Sequence, residues 1–361
     1  MKKSLIALAV IAASGAALAQ SSVTMYGLVD MYVGSVKSGI GATSLRQTKV
    51  ESGLVNTSRF GLKGSEDLGN GLAANFVLEQ GVAADTGASK TATLLVAAPA
   101  GTSFAFSRQA WVGLSGSFGA TRIGLTPTPF DDVSGASDAV FDSALSPMNS
   151  VFKSTGYLVR PGNTVAYYTP NFSGFSASVS YSLGENKTNV ATPAVAATPT
   201  TAAVPAVTVH SAGAATSFAL VYANGPIGLN FGYQNEKSAG DVIAKKFTRL
   251  GGTYDFGMAK AYATYGKAEN MGNVSGSDAT DYQLGVDVPV SSALTLSASY
   301  AQSKDNATAG NAKRKGYGLG AKYALSKRTA VYGGYEADDA KVSGATTNKH
   351  DLFAVGVQHR F

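Results

Sequence analysis

From residue 22 onward, apolar side chains alternate with small or polar ones over segments of about ten residues, as a strand with two different faces requires. No segment with a helical period competes. Across residues 23–33 one face carries Val23, Met25, Gly27, Val29, Met31 and Val33, and the other Thr24, Tyr26, Leu28, Asp30 and Tyr32. Tyr282, Leu284, Val286 and Val288 likewise oppose Asp281, Gln283, Gly285 and Asp287, while Tyr317, Leu319, Ala321, Tyr323 and Leu325 oppose Gly318, Gly320 and Lys322. The pattern predicts strands near 22–33, 58–65, 73–80, 104–115, 119–125, 163–169, 175–182, 215–223, 227–235, 247–256, 259–268, 280–289, 294–303, 315–324, 328–336 and 350–361. That count, sixteen, is even, and roughly 21 residues per strand with its connection match an outer-membrane barrel.

A soluble sandwich also alternates, so the choice between water and lipid outside rests on the connections. Short turns at 170–174, 224–226, 257–258, 289–292 and 326–327 alternate with longer segments at 34–57, 81–103, 126–162, 183–214 and 337–349. A membrane barrel with its termini on the short-turn rim has this order of connections. Closure also pairs every backbone group in hydrocarbon and leaves no sheet edge. The Ala-, Thr-, Val- and Pro-rich stretch 183–214 is expected to be a mobile external loop, because the strand pattern resumes in phase after it.

Composition narrows the picture. The chain has no cysteine, which excludes a disulfide framework, thiolate metal sites and cysteine nucleophiles. Its 42 glycines in 361 residues exceed the usual share and fit as small residues on curved strands. Lys2 and Lys3, the apolar run from Leu5 and the Ala17-Leu18-Ala19 tripeptide form the three parts of a secretory signal, which divides the chain into a signal peptide, 1–19, and a single barrel, 20–361. The largely apolar stretch 5–19 is short of the ~20 residues of a spanning helix. Without Lys2 and Lys3 the formal charge falls from +6 to +4, which does not support a nucleic-acid partner.

The stretches 23–30 (VTMYGLVD), 58–69 (SRFGLKGSEDLG), 108–114 (RQAWVGL) and 163–175 (NTVAYYTPNFSGF), with the ending His359-Arg360-Phe361, resemble the general-diffusion porins of Gram-negative bacteria, especially the β-proteobacterial type. The resemblance runs over the whole chain beyond the signal. It implies an all-β fold, a 16-stranded antiparallel transmembrane barrel with its third loop folded into the lumen. It also implies a homotrimer in the outer membrane, in contact with its lipids and recognised by the barrel assembly machinery through Phe361. In such porins arginines on the wall face acidic groups on that loop, here roughly 126–162. Carried over by position, the wall arginines are Arg59, Arg108 and Arg160, with Lys63 on the face of Arg59, and the loop carboxylates are Asp131, Asp132, Asp138 and Asp142. If Arg108 faces the lumen, alternation sends Ala110, Val112 and Leu114 inward and Gln109 and Trp111 toward lipid. The segment 121–126 departs from the Gly-Arg-Gln usual at this strand end.

Other chemistry finds little support. His210, His350 and His359 lack metal-ligand spacing. Ser150 and Lys153 match a Ser-x-x-Lys pattern without its helical context. Gly316, Gly318 and Gly320 share one face of a strand and open no helix, so they do not bind a dinucleotide. The reading is a passive channel for ions and small hydrophilic solutes, mildly anion-selective, with no catalysis, cofactor or metal. The alternatives are a non-conducting barrel used for adhesion and, further behind, an exported β-rich enzyme.

Overall fold

A computed structural model of the protein describes residues 22–90, 94, 105–184, 188–192, 207–211, 213–238 and 241–361. The expected signal segment, 1–19, lies outside them. Sixteen strands form the wall: β1 (Ser22–Ser38), β2 (Arg59–Gly69), β3 (Leu72–Ala83), β4 (Gln109–Gly116), β5 (Gly119–Leu125), β6 (Thr164–Tyr168), β7 (Phe175–Leu183), β8 (Ala214–Asn224), β9 (Ile227–Lys237), β10 (Lys245–Asp255), β11 (Lys260–Glu269), β12 (Ala279–Pro289), β13 (Leu294–Asp305), β14 (Lys313–Ala324), β15 (Thr329–Val342) and β16 (Ala345–Arg360). Each pairs antiparallel with its neighbours in sequence, and β16 returns to β1 in the register Leu28 to Arg360 through Ser38 to His350, which closes the barrel. The terminal residue completes the seam. Gly27 and Phe361 exchange backbone N–H to O hydrogen bonds, both of 3.1 Å, and the Phe361 ring lies where a Cβ on Gly27 would stand.

All sixteen predicted strands are present, with ends moved by a few residues. The clearest extension corrects an expected loop. Residues 337–349 are strand except for a tight turn at Ser343 and Gly344, since β15 and β16 continue as a hairpin whose polar side chains hid the pattern. In 34–57, β1 runs on to Ser38 and pairs with a further strand, Leu45–Ser52. Within 183–214, Thr188–Thr192 pairs with Val207–Ser211, and the expectation for 193–206 falls outside the described residues.

Val23, Met25, Leu284, Leu319 and Val355 are exposed on the outside, as lipid requires. Aromatic rings gather near the short-turn rim, with Phe175 and Tyr222 at 4.4 Å and Tyr254 and Phe256 at 4.6 Å. A second set, including Tyr265 with Tyr282 and Tyr317 with Tyr335, lies toward the other rim. No helix among the described residues is long and apolar enough to cross a membrane.

The interior is filled on one side by the connection 126–163, which carries helices α1 (Pro129–Ser134) and α2 (Pro147–Val151). Thr128 and Ser146 cap their N-termini, each side chain accepting from a backbone N–H of the first turn. Helices this short do not stand alone, so tertiary contacts hold the loop. Leu54, Val140, Leu145, Tyr332 and Leu352 form one buried cluster between loop and wall, and Phe130, Phe247 and Ala268 form another.

Candidate functional site

A buried loop must find partners for its own backbone groups, and inward side chains of the wall supply them. Phe130 N–H donates to Ser217 Oγ at 2.9 Å, Val140 N–H to Ser297 Oγ at 2.7 Å, Ser154 N–H to Asp281 Oδ2 at 2.8 Å and Leu158 N–H to Glu236 Oε2 at 2.8 Å. In the other direction Gln234 Nε2 donates to the Leu158 carbonyl at 2.9 Å. Glycines make the space. A Cβ would stand 1.9 Å from Ser137 Oγ at Gly251, 2.3 Å from Ser154 Oγ at Gly266, 2.4 Å from Ala139 Cβ at Gly285 and 2.0 Å from the Leu145 carbonyl oxygen at Gly318. Part of the glycine content beyond the turns is therefore a groove for the loop.

Arg249, on the inward face of β10, is fully buried beneath the loop. It donates to the Ser134 carbonyl and to Ser154 Oγ, both at 3.0 Å, and its guanidinium lies 5.6 Å from the Phe130 ring and 5.7 Å from that of Phe152. Alternation from Phe247 and Gly251 marks this inward charge in the sequence, although the resemblance alone passes over it.

Two arginines of the wall meet on one carboxylate. Arg59, on β2, and Arg108, one residue before β4, flank Glu79 of β3, with Nε at 3.4 Å and 2.7 Å from its two carboxylate oxygens. Tyr26 Oη donates to the same carboxylate at 3.1 Å. Because Arg108 precedes the strand it escapes the alternation, and the faces expected for β4 are reversed. Val112 and Leu114 are exposed outward, while Gln109 Nε2 donates to Glu79 and Trp111 lies against Arg122 inside.

Arg160 is a loop residue on the returning arm, not a wall residue, and its Nη2 lies 3.8 Å from Asp131 Oδ2. Arg108 and Arg160 line one cavity with Thr57, Lys90 and Tyr157. Burial, and then the like charge of Arg108, lower the Arg160 pKa. Lys63 lies apart from this cluster, four residues along β2 from Arg59 or about 13 Å, in a cavity with Trp111 and Arg122. The Arg122 guanidinium sits 4.9 Å from the Trp111 ring and 4.3 Å from that of Tyr168, so the departure from the usual motif at 121–126 still leaves an inward cation.

The four loop aspartates separate. Tyr157 Oη donates to Asp131 Oδ1 at 2.8 Å and Tyr168 Oη to Asp132 Oδ2 at 3.1 Å. Asp142 is exposed on a turn whose three residues, Val140 to Asp142, all have positive φ. Asp138 is not a pore-facing group. It is buried against the wall, accepting from Ser146 Oγ at 2.5 Å and Gln283 Nε2 at 2.6 Å. Burial first, then the Asp142 carboxylate, push it up to about 7. Desolvation by the surrounding loop and wall also raises Asp131 and Asp132, opposed by Arg160 and Arg122 respectively, and raises Asp142, helped by Asp131, although the Asp132 and Asp142 side chains stay open to solvent.

Residues 5–343 match the family described as Gram-negative porin. Outer membrane porin protein 32 of Delftia acidovorans is 33% identical, covering 99% of this chain and 95% of its own. An outer membrane porin of Bordetella pertussis is 30% identical over the full length of both. Among solved structures, the anion-selective porin from Comamonas acidovorans superposes with a TM-score of 0.73 at 27% identity, over 95% of this chain and all of its own. The trimer form of OmpT from Vibrio cholerae, at 14% identity and a TM-score of 0.63, shares the fold.

Proposed function

The chain belongs to the Gram-negative porin family, an outer-membrane diffusion channel, and from this premise we propose that its lumen passes small hydrophilic solutes with a preference for anions and without catalysis. The observation that carries the preference is the wall cluster of Arg59 and Arg108 sharing the single carboxylate of Glu79, with Arg160 beside Arg108. Two guanidiniums on one carboxylate leave a local positive excess, and because all three side chains are largely withdrawn from water, salt screens them less than it would surface charges. The loop carboxylates Asp131, Asp132 and Asp142 are raised, so they take up protons before free aspartates as pH falls and oppose the arginines less. The 27% identical neighbour described as anion-selective agrees with this reading.

The expected partners are ions and small solutes, outer-membrane lipids, two further copies of the chain and, through Phe361, the assembly machinery. Residues 1–19 are proposed to be removed on export. Single-channel recording on protein extracted from outer membranes tests the reading: stable steps in groups of three are expected, and a folded, heat-modifiable sample that does not conduct would favour an adhesive barrel instead.

A further inference from the structure

On the inward face of β15 and β16, Glu336, Asp338 and His350 bring three metal-ligating groups together, with one donor atom of each within 4.8 Å of the others. The strands build the cluster. Asp338 and His350 stand directly opposite each other in the antiparallel ladder, and Glu336, two residues before Asp338, shares its face. His350 Nδ1 lies 3.1 Å from Glu336 Oε2 and 3.4 Å from Asp338 Oδ2. Donors bound at 2.0–2.1 Å to a tetrahedral zinc ion are about 3.3 Å apart, so both spacings suit a shared ion with little movement.

Glu336 is fully buried, and its second oxygen, Oε1, accepts from Ser150 Oγ of the internal loop at 2.7 Å. A hydrogen bond of this kind fixes the direction of a metal-ligating carboxylate. Asp338 and His350 are partly exposed, so an ion in the lumen can reach them. We infer that Glu336, Asp338 and His350 form a divalent transition-metal site of the zinc type, with water completing the coordination. One imidazole with two carboxylates suits zinc better than calcium or magnesium, which take oxygen ligands. A bound ion would tie the β15–β16 wall to the loop through Glu336 and Ser150 and would add positive charge to the lumen.

The competing use of the same geometry is a protonated imidazole held between two carboxylates, which binds no metal. Calorimetric titration of the folded, detergent-solubilised full chain with Zn2+ separates the two. One ion per chain is expected, with Ca2+ and Mg2+ at least about tenfold weaker. His350→Ala and Asp338→Asn should each weaken Zn2+ binding by at least about tenfold, while His359→Ala leaves it unchanged. Asp338→Asn, nearly isosteric, carries the test if His350→Ala fails to fold. In bilayers, Zn2+ should raise the anion preference of the wild type and not that of Asp338→Asn. Absence of Zn2+ binding, or binding that neither variant weakens, overturns the site.

Discussion

Glu79 decides how much of the wall's positive charge is available, because its carboxylate is shared by Arg59 and Arg108. Glu79→Gln removes the negative partner while keeping an acceptor for Tyr26, so reversal potentials should move toward the anion, whereas Arg59→Glu or Arg108→Glu should move them the other way. The acid side of the lumen adds a pH dependence. Desolvation by the surrounding protein raises Asp131, Asp132 and Asp142, so these groups gain protons above the ordinary carboxylate range. Anion preference should therefore rise as pH falls toward the ordinary carboxylate range, beginning above it, and the rise should shrink in Asp131→Asn. Arg59 and Lys63 were legible as inward residues because Phe60 and Leu62 alternate with them. Glu79 was not. Its role comes from pairing across three strands and a residue outside strand register, which no local pattern encodes.

At the level of elements, the central arrangement is a loop seated in a groove of glycines and pinned by hydroxyls, carboxylates and amides of β8 to β15. Gly318→Val would place a side chain where the Leu145 carbonyl now lies, and overpacking of this kind costs about 1–3 kcal/mol. The loop would yield toward the lumen, so single-channel conductance should fall and its noise rise, with the heat-modifiable barrel retained. Arg249→Ala removes two hydrogen bonds to the loop and should raise open-channel noise. The strands were readable to within a few residues at most ends because each has one face in lipid and one in water. The loop was readable only by resemblance, since its two short helices follow from the wall around them. Asp138 shows the same limit, for whether an aspartate faces solute or is clasped by Gln283 depends on a strand 145 residues away.

For the whole molecule, closure is the source of stability, and the seam between β1 and β16 ends on Phe361 against Gly27. Deleting Phe361 removes two backbone hydrogen bonds and an aromatic contact at that seam, so the yield of heat-modifiable barrel in outer membranes should drop. The even strand count and most of the alternation of short and long connections were present in the sequence as periodicity and spacing. The extra reach of β15 and β16, where polar residues occupy both faces, was hidden for that reason. A water-filled barrel whose arginine wall sets its ion preference is tested most directly by the zero-current potential of the wild-type channel in a salt gradient across a planar bilayer, repeated for Arg59→Glu and Arg108→Glu. The wild type is predicted to favour the anion and both variants to lose that preference, whereas a cation-selective wild type, or an anion preference unchanged in both variants, would contradict it.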